Sequence, residues 1–354
     1  MSTVREVIQR DIGVKVEGVV KVFDRATLGA EMREYVVTDK IEEELRRIFD
    51  TFAYVSETLR RGAASRDVMG IWVSGFFGSG KSHFAKVLGH LLQNTPLDEA
   101  GSERSHDAFV KHLSDSPRAR DIRLRLGELK ANAEVRTVFF EINSRKTLNN
   151  PDSVGEILLS ELYRSIGLAE NFVVARIERS LERRGLLERL VAEYEAAYGV
   201  PWRSAEGRDD LMTVRQRLAK VLPQVDAAEY PDESVARQAL KDTFQHERIT
   251  AEGIADELVA WVDAQKTTGG KAAHLVFVID EMGTFIGDSQ DRISELTSLA
   301  EMIGNKGKGK VWLIVTSQQD LERVVDRTDF LPTLVGRLNA RFELRPRLIS
   351  DEVN

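Results

Sequence analysis

Two patterns of hydrophobic and polar positions alternate along the chain. Short runs of consecutive apolar residues, typical of strands buried on both faces of a parallel sheet, occur at 70–74, 138–143, 274–281 and 311–316. Between them lie longer stretches in which apolar residues recur every three or four positions, as on one face of a helix. This order of elements predicts an α/β fold, with a parallel sheet flanked by helices.

The N-terminal part combines extended and helical patterns. A partly alternating segment at 14–22 predicts a strand, and residues 35–37 predict a short extended stretch. A helix is expected next, with Thr38 or Asp39 as its N-cap. We expect residues 1–65 to pack on the rest of the fold, and whether they cover the base of a bound nucleotide is open.

The middle of the chain is dominated by helical patterns rich in Glu, Arg, Leu and Ala. It predicts a mainly helical insertion at 151–265 between two parts of one nucleotide-binding core, at 66–150 and 266–354. The charged helix faces of this insertion are expected to be solvated surface. We interpret the insertion as a surface for a partner protein or for an oligomer.

A glycine-rich segment is the most informative motif of the chain. Residues 75–82 read Gly-Phe-Phe-Gly-Ser-Gly-Lys-Ser, between a predicted strand and a predicted helix. This context distinguishes a phosphate-binding P-loop (Walker A motif) from a chance glycine-rich turn. The expected nucleotide-binding residues are Gly75, Phe76, Phe77, Gly78, Ser79, Gly80, Lys81, Ser82 and His83.

Each residue type in the motif has a physical reason. Glycines let the backbone form a concave nest of N–H donors, and the following helix directs its positive end toward the same place. Lys81 would supply a point charge for the β- and γ-phosphates of ATP, and Ser82 a hydroxyl ligand for Mg²⁺. His83 is expected either to support the loop or to face outward.

Two acids follow the apolar run that begins at 274. A central parallel strand would deliver Asp280 and Glu281 to the carboxyl edge of the sheet. Asp280 would hold Mg²⁺ together with Ser82, as in a Walker B motif, and Glu281 would orient the attacking water or accept its proton. The alternative is an acidic strand end without a partner. The P-loop in the same chain favours an enzyme that hydrolyses ATP.

Polar and basic residues near the end of the chain complete the candidate site. Thr316, Ser317 or Gln318 would contact the γ-phosphate or the water, at the position called sensor 1 in AAA+ ATPases; a simple turn is the alternative. Arg337 and Arg341 are four residues apart and would share a helix face. One of them, preferably Arg341, would act in trans on ATP bound to a neighbouring subunit. A surface ion pair is the alternative.

Composition restricts the function classes further. The 354 residues are 42% hydrophobic and 30% charged, which is typical of a soluble protein. The net charge of −7 gives no bulk support for nonspecific DNA binding. The absence of cysteine excludes disulfides and cysteine-ligated zinc. Neither a signal peptide nor a membrane span is indicated, and we expect a cytoplasmic protein.

Several segments resemble one known family. Residues 71–84, Ile-Trp-Val-Ser-Gly-Phe-Phe-Gly-Ser-Gly-Lys-Ser-His-Phe, resemble the P-loop of the BrxC/PglY ATPases of bacterial BREX phage-defence systems. Further segments that resemble this family, or fit it, are 10–12, 17–22, 34–38, 278–281 and 315–318. The resemblance covers roughly 5–92 and 270–345 and is weak over the helical insertion.

The resemblance implies an AAA+-type ATPase that acts as a homo-oligomeric switch or motor. Members of the family act with a methyltransferase, a phosphatase-like protein and small partners to restrict phage. This chain is shorter than the family pattern, so an N-terminal fragment is expected. Two alternatives stay open, a nucleotide-stabilised scaffold with little turnover and a DNA-loading AAA+ ATPase. A small-molecule kinase is disfavoured because no substrate site is evident beside the P-loop.

Overall fold

The structure is a computed structural model. It describes the following residues: 21–63, 65, 70–75, 78–145, 153–208, 210–244, 249–287, 289–318 and 338–344. Within these ranges, no helix combines the length and the apolar character that crossing a membrane requires.

Five parallel strands form one sheet in the part of the chain that the structure describes. They are β1 (Gly70–Gly75), β2 (Ala133–Glu141), β3 (Ala272–Asp280), β4 (Val311–Ser317) and β5 (Leu338–Leu344). The strand order is β2-β3-β4-β1-β5, and all neighbouring strands are parallel. The carboxyl ends of all five strands therefore lie at one edge of the sheet. The predicted α/β class with a parallel sheet flanked by helices is confirmed.

Helices connect and cover these strands. Before β2 they are α1 (Leu28–Glu34), α2 (Asp39–Arg60), α3 (Lys81–Gln93), α4 (Ser105–Phe109) and α5 (Pro117–Asn132). Between β2 and β3 they are α6 (Val154–Ser165), α7 (Phe172–Arg183), α8 (Leu187–Tyr198), α9 (Ala205–Arg208), α10 (Leu211–Val225), α11 (Glu233–Phe244) and α12 (Ala251–Asp263). After β3 follow α13 (Met282–Ile286) and α14 (Gln290–Gly307).

Both faces of the sheet are buried because side chains alternate along each strand. In β3, Val276 and Val278 belong to the hydrophobic core formed with α2, α3 and α5, whereas Phe277 and Ile279 belong to a second core. The second core includes α6, α12 and α14. A strand that is apolar on both faces needs cover on both, which explains the continuous apolar runs of the sequence.

The helical stretch at 151–265 is mainly helical, as predicted, but it is not simply appended to the sheet. Its first and last helices, α6 and α12, pack against β2 and β3 and thus form part of one covering layer. The helices between them extend the same hydrophobic core outward. Residues that the sequence assigned to an insertion therefore also complete the core of the sheet.

Most predicted element boundaries within the described residues agree with the structure. Thr38 caps α2, since its hydroxyl accepts a hydrogen bond from the Ile41 N–H. Helix α14 continues to Gly307, and Lys306 in its last turn forms ion pairs with α12. The strand predicted at 14–22 lies almost wholly outside the described residues.

Candidate functional site

The glycine-rich loop joins β1 to α3 at the carboxyl edge of the sheet. Gly75 is the last residue of β1, and Lys81 is the first residue of α3. Gly78 and Gly80 have φ angles of 78° and 85°, which disfavour any residue with a Cβ atom. Phe76 and Phe77 lie outside the described residues. The described part of the loop thus has the backbone that the motif requires.

Two polar side chains in this loop are held away from water. The Ser79 hydroxyl oxygen is buried and has no hydrogen-bond partner among the residues that the structure describes. Lys81 is only 6% exposed. Burial lowers the pKa of Lys81, and the nearby Glu281 and Asp280 carboxylates oppose that effect. A buried hydroxyl without a partner beside a buried ammonium group fits a binding site for an anion.

Ser82 and Asp280 meet although 198 residues separate them in sequence. The Ser82 hydroxyl donates to Asp280 Oδ1 at 2.8 Å. Strand β4 lies between β1 and β3, so the two strand ends are about 10 Å apart, and the first turn of α3 closes this gap. The structure therefore brings together the two residues that the sequence proposed as Mg²⁺ ligands.

Thr316 connects both acids to the neighbouring strand. Its hydroxyl donates to Asp280 Oδ1 at 2.5 Å and accepts from the Glu281 N–H at 3.0 Å. Burial raises the pKa of the Asp280 carboxyl, and the hydrogen bonds from Thr316 and Ser82 oppose that rise. In this arrangement Thr316 positions the acid pair, and its role as sensor 1 stays a prediction.

Glu281 has an unusual backbone conformation at the end of β3. Its φ of 61° places it in the left-handed region, which costs a residue with a side chain about 1–2 kcal/mol. The Thr284 hydroxyl donates to Glu281 Oε2 at 2.7 Å, and the Glu281 side chain stays partly exposed. A strained backbone at Glu281 thus holds its carboxylate at the carboxyl edge of the sheet, on the same side as the glycine-rich loop.

The oxygen atoms at this edge suit a small, hard cation. Mg²⁺ commonly binds one or two protein oxygens and keeps several waters. Ser82 Oγ and Asp280 Oδ1 are two such oxygens in contact with each other. Both residues fit the predicted ligand set.

Gly283 and Thr284 belong to the site but were not identified from the sequence. A Cβ atom at position 283 would lie 2.0 Å from the Ser317 hydroxyl oxygen, so only glycine lets α13 approach the end of β4 this closely. The signal available in the sequence was their position, since Gly283 and Thr284 come two and three residues after Glu281. Neither type points to a site without the fold.

The remaining predicted residues lie around this centre. Gln318 follows β4 and is exposed, and Arg337 is outside the described residues. Arg341 lies within β5, where its Cα pairs with that of Trp72. The shared helix face assumed for the two arginines is therefore wrong for Arg341, because this part of the chain completes the sheet.

His83 connects the loop to the N-terminal helix rather than to the site edge. Its ring packs edge-on against Tyr35 with centroids 4.9 Å apart, and burial lowers its pKa. One turn further along α3, Lys86 is fully buried and forms an ion pair with Glu31 of α1 at 2.8 Å. The N-terminal segment is thus fixed to the helix that begins with Lys81.

No protein-family model matches the chain, and no solved structure is significantly similar to it.

Proposed function

We propose that this protein is a P-loop ATPase of the AAA+ type that binds ATP with Mg²⁺ and hydrolyses it. The observation that carries the proposal is the contact between Ser82 Oγ and Asp280 Oδ1, which joins the glycine-rich loop to the acid pair. This contact needs a phosphate loop and a carboxylate strand in one sheet, with β4 between them.

Binding follows from the loop. The N–H groups around Gly80, the N-terminus of α3 and the Lys81 ammonium group would hold the β- and γ-phosphates. Ser82 and Asp280 would hold Mg²⁺, which when bound neutralises charge on the phosphate oxygens. Thr316 keeps the Asp280 oxygen in place through its hydrogen bond.

Hydrolysis would depend on Glu281. Its carboxylate lies next in sequence to the proposed Mg²⁺ ligand and stays partly exposed, so that a water molecule beside the γ-phosphate could reach it. Thr284 holds one carboxylate oxygen, and the other can accept the proton of the water. This residue favours turnover over the alternative of a nucleotide-stabilised scaffold.

Calorimetry with Mg·ATP tests the binding half of the proposal. We expect Lys81→Ala to weaken affinity by about a hundredfold or more, because a charge-assisted hydrogen bond to phosphate is lost. Lys111→Ala is the matched control, since Lys111 is an exposed lysine paired with Glu103. Equal affinity of a folded Lys81→Ala protein and the control would refute the proposed phosphate loop.

We further propose, from the family resemblance, that the protein acts as a homo-oligomer in BREX-type phage defence with a methyltransferase and a phosphatase-like protein. Arg341 is the candidate for a residue shared between subunits. An Arg341→Ala variant that is inactive alone should then regain activity when mixed with Lys81→Ala, because some interfaces pair an intact loop with an intact arginine. If oligomers shown to contain both variants regain no ATPase activity, that result would count against a site shared between subunits.

A further inference from the structure

A second polar cavity lies among the helices between β2 and β3. It has a volume of about 530 Å³ and is bounded by α6, α7 and α12. Its polar lining consists of Tyr163, Arg176, Arg179, Ser180, Arg183, Arg184 and Glu257. None of its lining residues belongs to the glycine-rich loop or to the acid pair.

Three arginines on one face of α7 give this cavity an excess of positive charge. Arg176, Arg179 and Arg183 are spaced by three and four residues, so they lie along one side of the helix. Glu257 accepts from Arg179 Nε at 2.9 Å and from Arg183 Nη1 at 3.0 Å. Arg179 also pairs with Glu182 at 2.7 Å. Among the described residues, Arg176 has no carboxylate partner and keeps its hydrogen-bonding capacity.

Arg184 differs from these three arginines, because its guanidinium group is occupied away from them. It forms ion pairs with Asp226 and Glu229. As far as the described residues show, the positive charge that remains uncompensated in the cavity therefore lies mainly at Arg176.

A tyrosine side chain lines the same cavity. As a residue Tyr163 is 3% exposed, but its hydroxyl is not sealed from water, and it forms no hydrogen bond within the described ranges. Its ring stacks on Phe172 with centroids 6.3 Å apart, which fixes the orientation of the phenol. Burial raises the pKa of Tyr163, so the group stays neutral and can donate a hydrogen bond. A hydroxyl that faces the cavity and is not engaged by the protein is available to a ligand.

We propose that this cavity binds a small phosphate ester, with Arg176 and Tyr163 as its principal phosphate contacts. The planar guanidinium group of Arg176 can donate two parallel hydrogen bonds to phosphate oxygens, and the Tyr163 hydroxyl can donate a third. Leu159 and Ile249 form an apolar wall, which favours an organic ester over free phosphate. The volume is in the range of small-molecule sites.

The test measures binding of two probes, inorganic phosphate and phenyl phosphate, by calorimetry. All proteins carry Lys81→Ala, so that phosphate binding at the glycine-rich loop is suppressed. The variants are Arg176→Gln and Tyr163→Phe. The matched control is Arg164→Gln, because Arg164 is on α6 next to Tyr163 but pairs with Glu170 at 3.0 Å and does not line the cavity.

We expect both probes to bind the control protein, phenyl phosphate more tightly. Arg176→Gln should weaken the affinity for either probe by about tenfold or more, and Tyr163→Phe by about tenfold. Because its hydroxyl has no partner in the ligand-free protein, Tyr163→Phe should leave unfolding without ligand unchanged. Failure of both probes to bind, or equal affinities of the two variants and the control, would overturn the site. Phosphate binding as tightly as phenyl phosphate would overturn the ester assignment.

Discussion

Replacing Thr316 by valine is the sharpest probe of how the acid pair is held. Valine has the same shape, so the change removes the hydroxyl without opening a cavity. Thr316 is fully buried, and its hydroxyl bonds both Asp280 Oδ1 and the Glu281 N–H. The variant therefore leaves a carboxylate with one donor fewer and an amide without a partner.

The size of the effect follows from these two bonds. A hydrogen bond to a charged group contributes about 1.5–3 kcal/mol, and a buried unpaired amide costs about 1–3 kcal/mol. The valine variant no longer has to bury a hydroxyl, and the desolvation cost that it avoids offsets part of this loss. We therefore expect Thr316→Val to lower the free energy of unfolding by about 2–4 kcal/mol. Loss of the Thr316 bond should also raise the pKa of Asp280 further. The affinity for Mg·ATP should then fall more steeply toward acidic pH than in the unmodified protein.

Urea denaturation and calorimetry with Mg·ATP at two pH values measure these changes. Thr297→Val is the matched control, because among the described residues the hydroxyl of this buried threonine bonds only to the Ile293 carbonyl of its own helix. Thr316→Ser, which keeps a hydroxyl, should retain most of the stability. The reasoning is refuted if Thr316→Val and Thr297→Val have the same stability and the same nucleotide affinity.

Three further predictions concern buried charge. Burial raises the folded-state pKa of Asp280 above its unfolded value, so ionisation of Asp280 disfavours folding at neutral pH. In the absence of Mg²⁺, Asp280→Asn should therefore leave the urea midpoint unchanged or raise it, and a clear decrease of the midpoint would contradict this. Burial lowers the pKa of His274 and of His106 to about 4, so the free energy of unfolding should be highest above pH 6.5 and should fall as the pH drops toward 4, by up to about 3 kcal/mol for each residue. A constant free energy of unfolding between pH 7 and pH 5 would refute this. Lys86→Ala should lower the free energy of unfolding in urea by about 3–5 kcal/mol, because it leaves the Glu31 carboxylate partly buried without its cation. Adding Glu31→Gln should restore part of the loss, and a double variant that recovers nothing would argue against a stabilising Lys86–Glu31 ion pair.

The residues of the glycine-rich loop and of the acid pair could be predicted from the sequence because each group is local in sequence. The glycines at 78 and 80, with Lys81 and Ser82, form one continuous motif whose backbone demands glycine. Asp280 ends an apolar run of the kind that is typical of a buried parallel strand. The α/β class could be predicted for the same reason, since each buried strand is a continuous run of apolar residues.

Long-range features could not be predicted in this way. Nothing in the sequence indicates that Thr316 would bond both Asp280 and the Glu281 amide, because that depends on the register of β3 against β4. The helical assignment around Arg341 relied on spacing alone, and pairing with β1 overrode it. The cavity beside Arg176 requires α6 and α7, which are consecutive in sequence, to pack against α12 much later in the chain.

The central claim, that the acid pair supports ATP hydrolysis, is tested most directly by phosphate release from Mg·ATP in the unmodified protein and in Glu281→Gln. Glutamine keeps the size of the side chain but cannot accept the proton of the attacking water. We expect both proteins to bind Mg·ATP with the same affinity. The rate of phosphate release by Glu281→Gln should be lower by a factor of about a hundred or more. Equal rates of phosphate release by the two proteins would contradict the account.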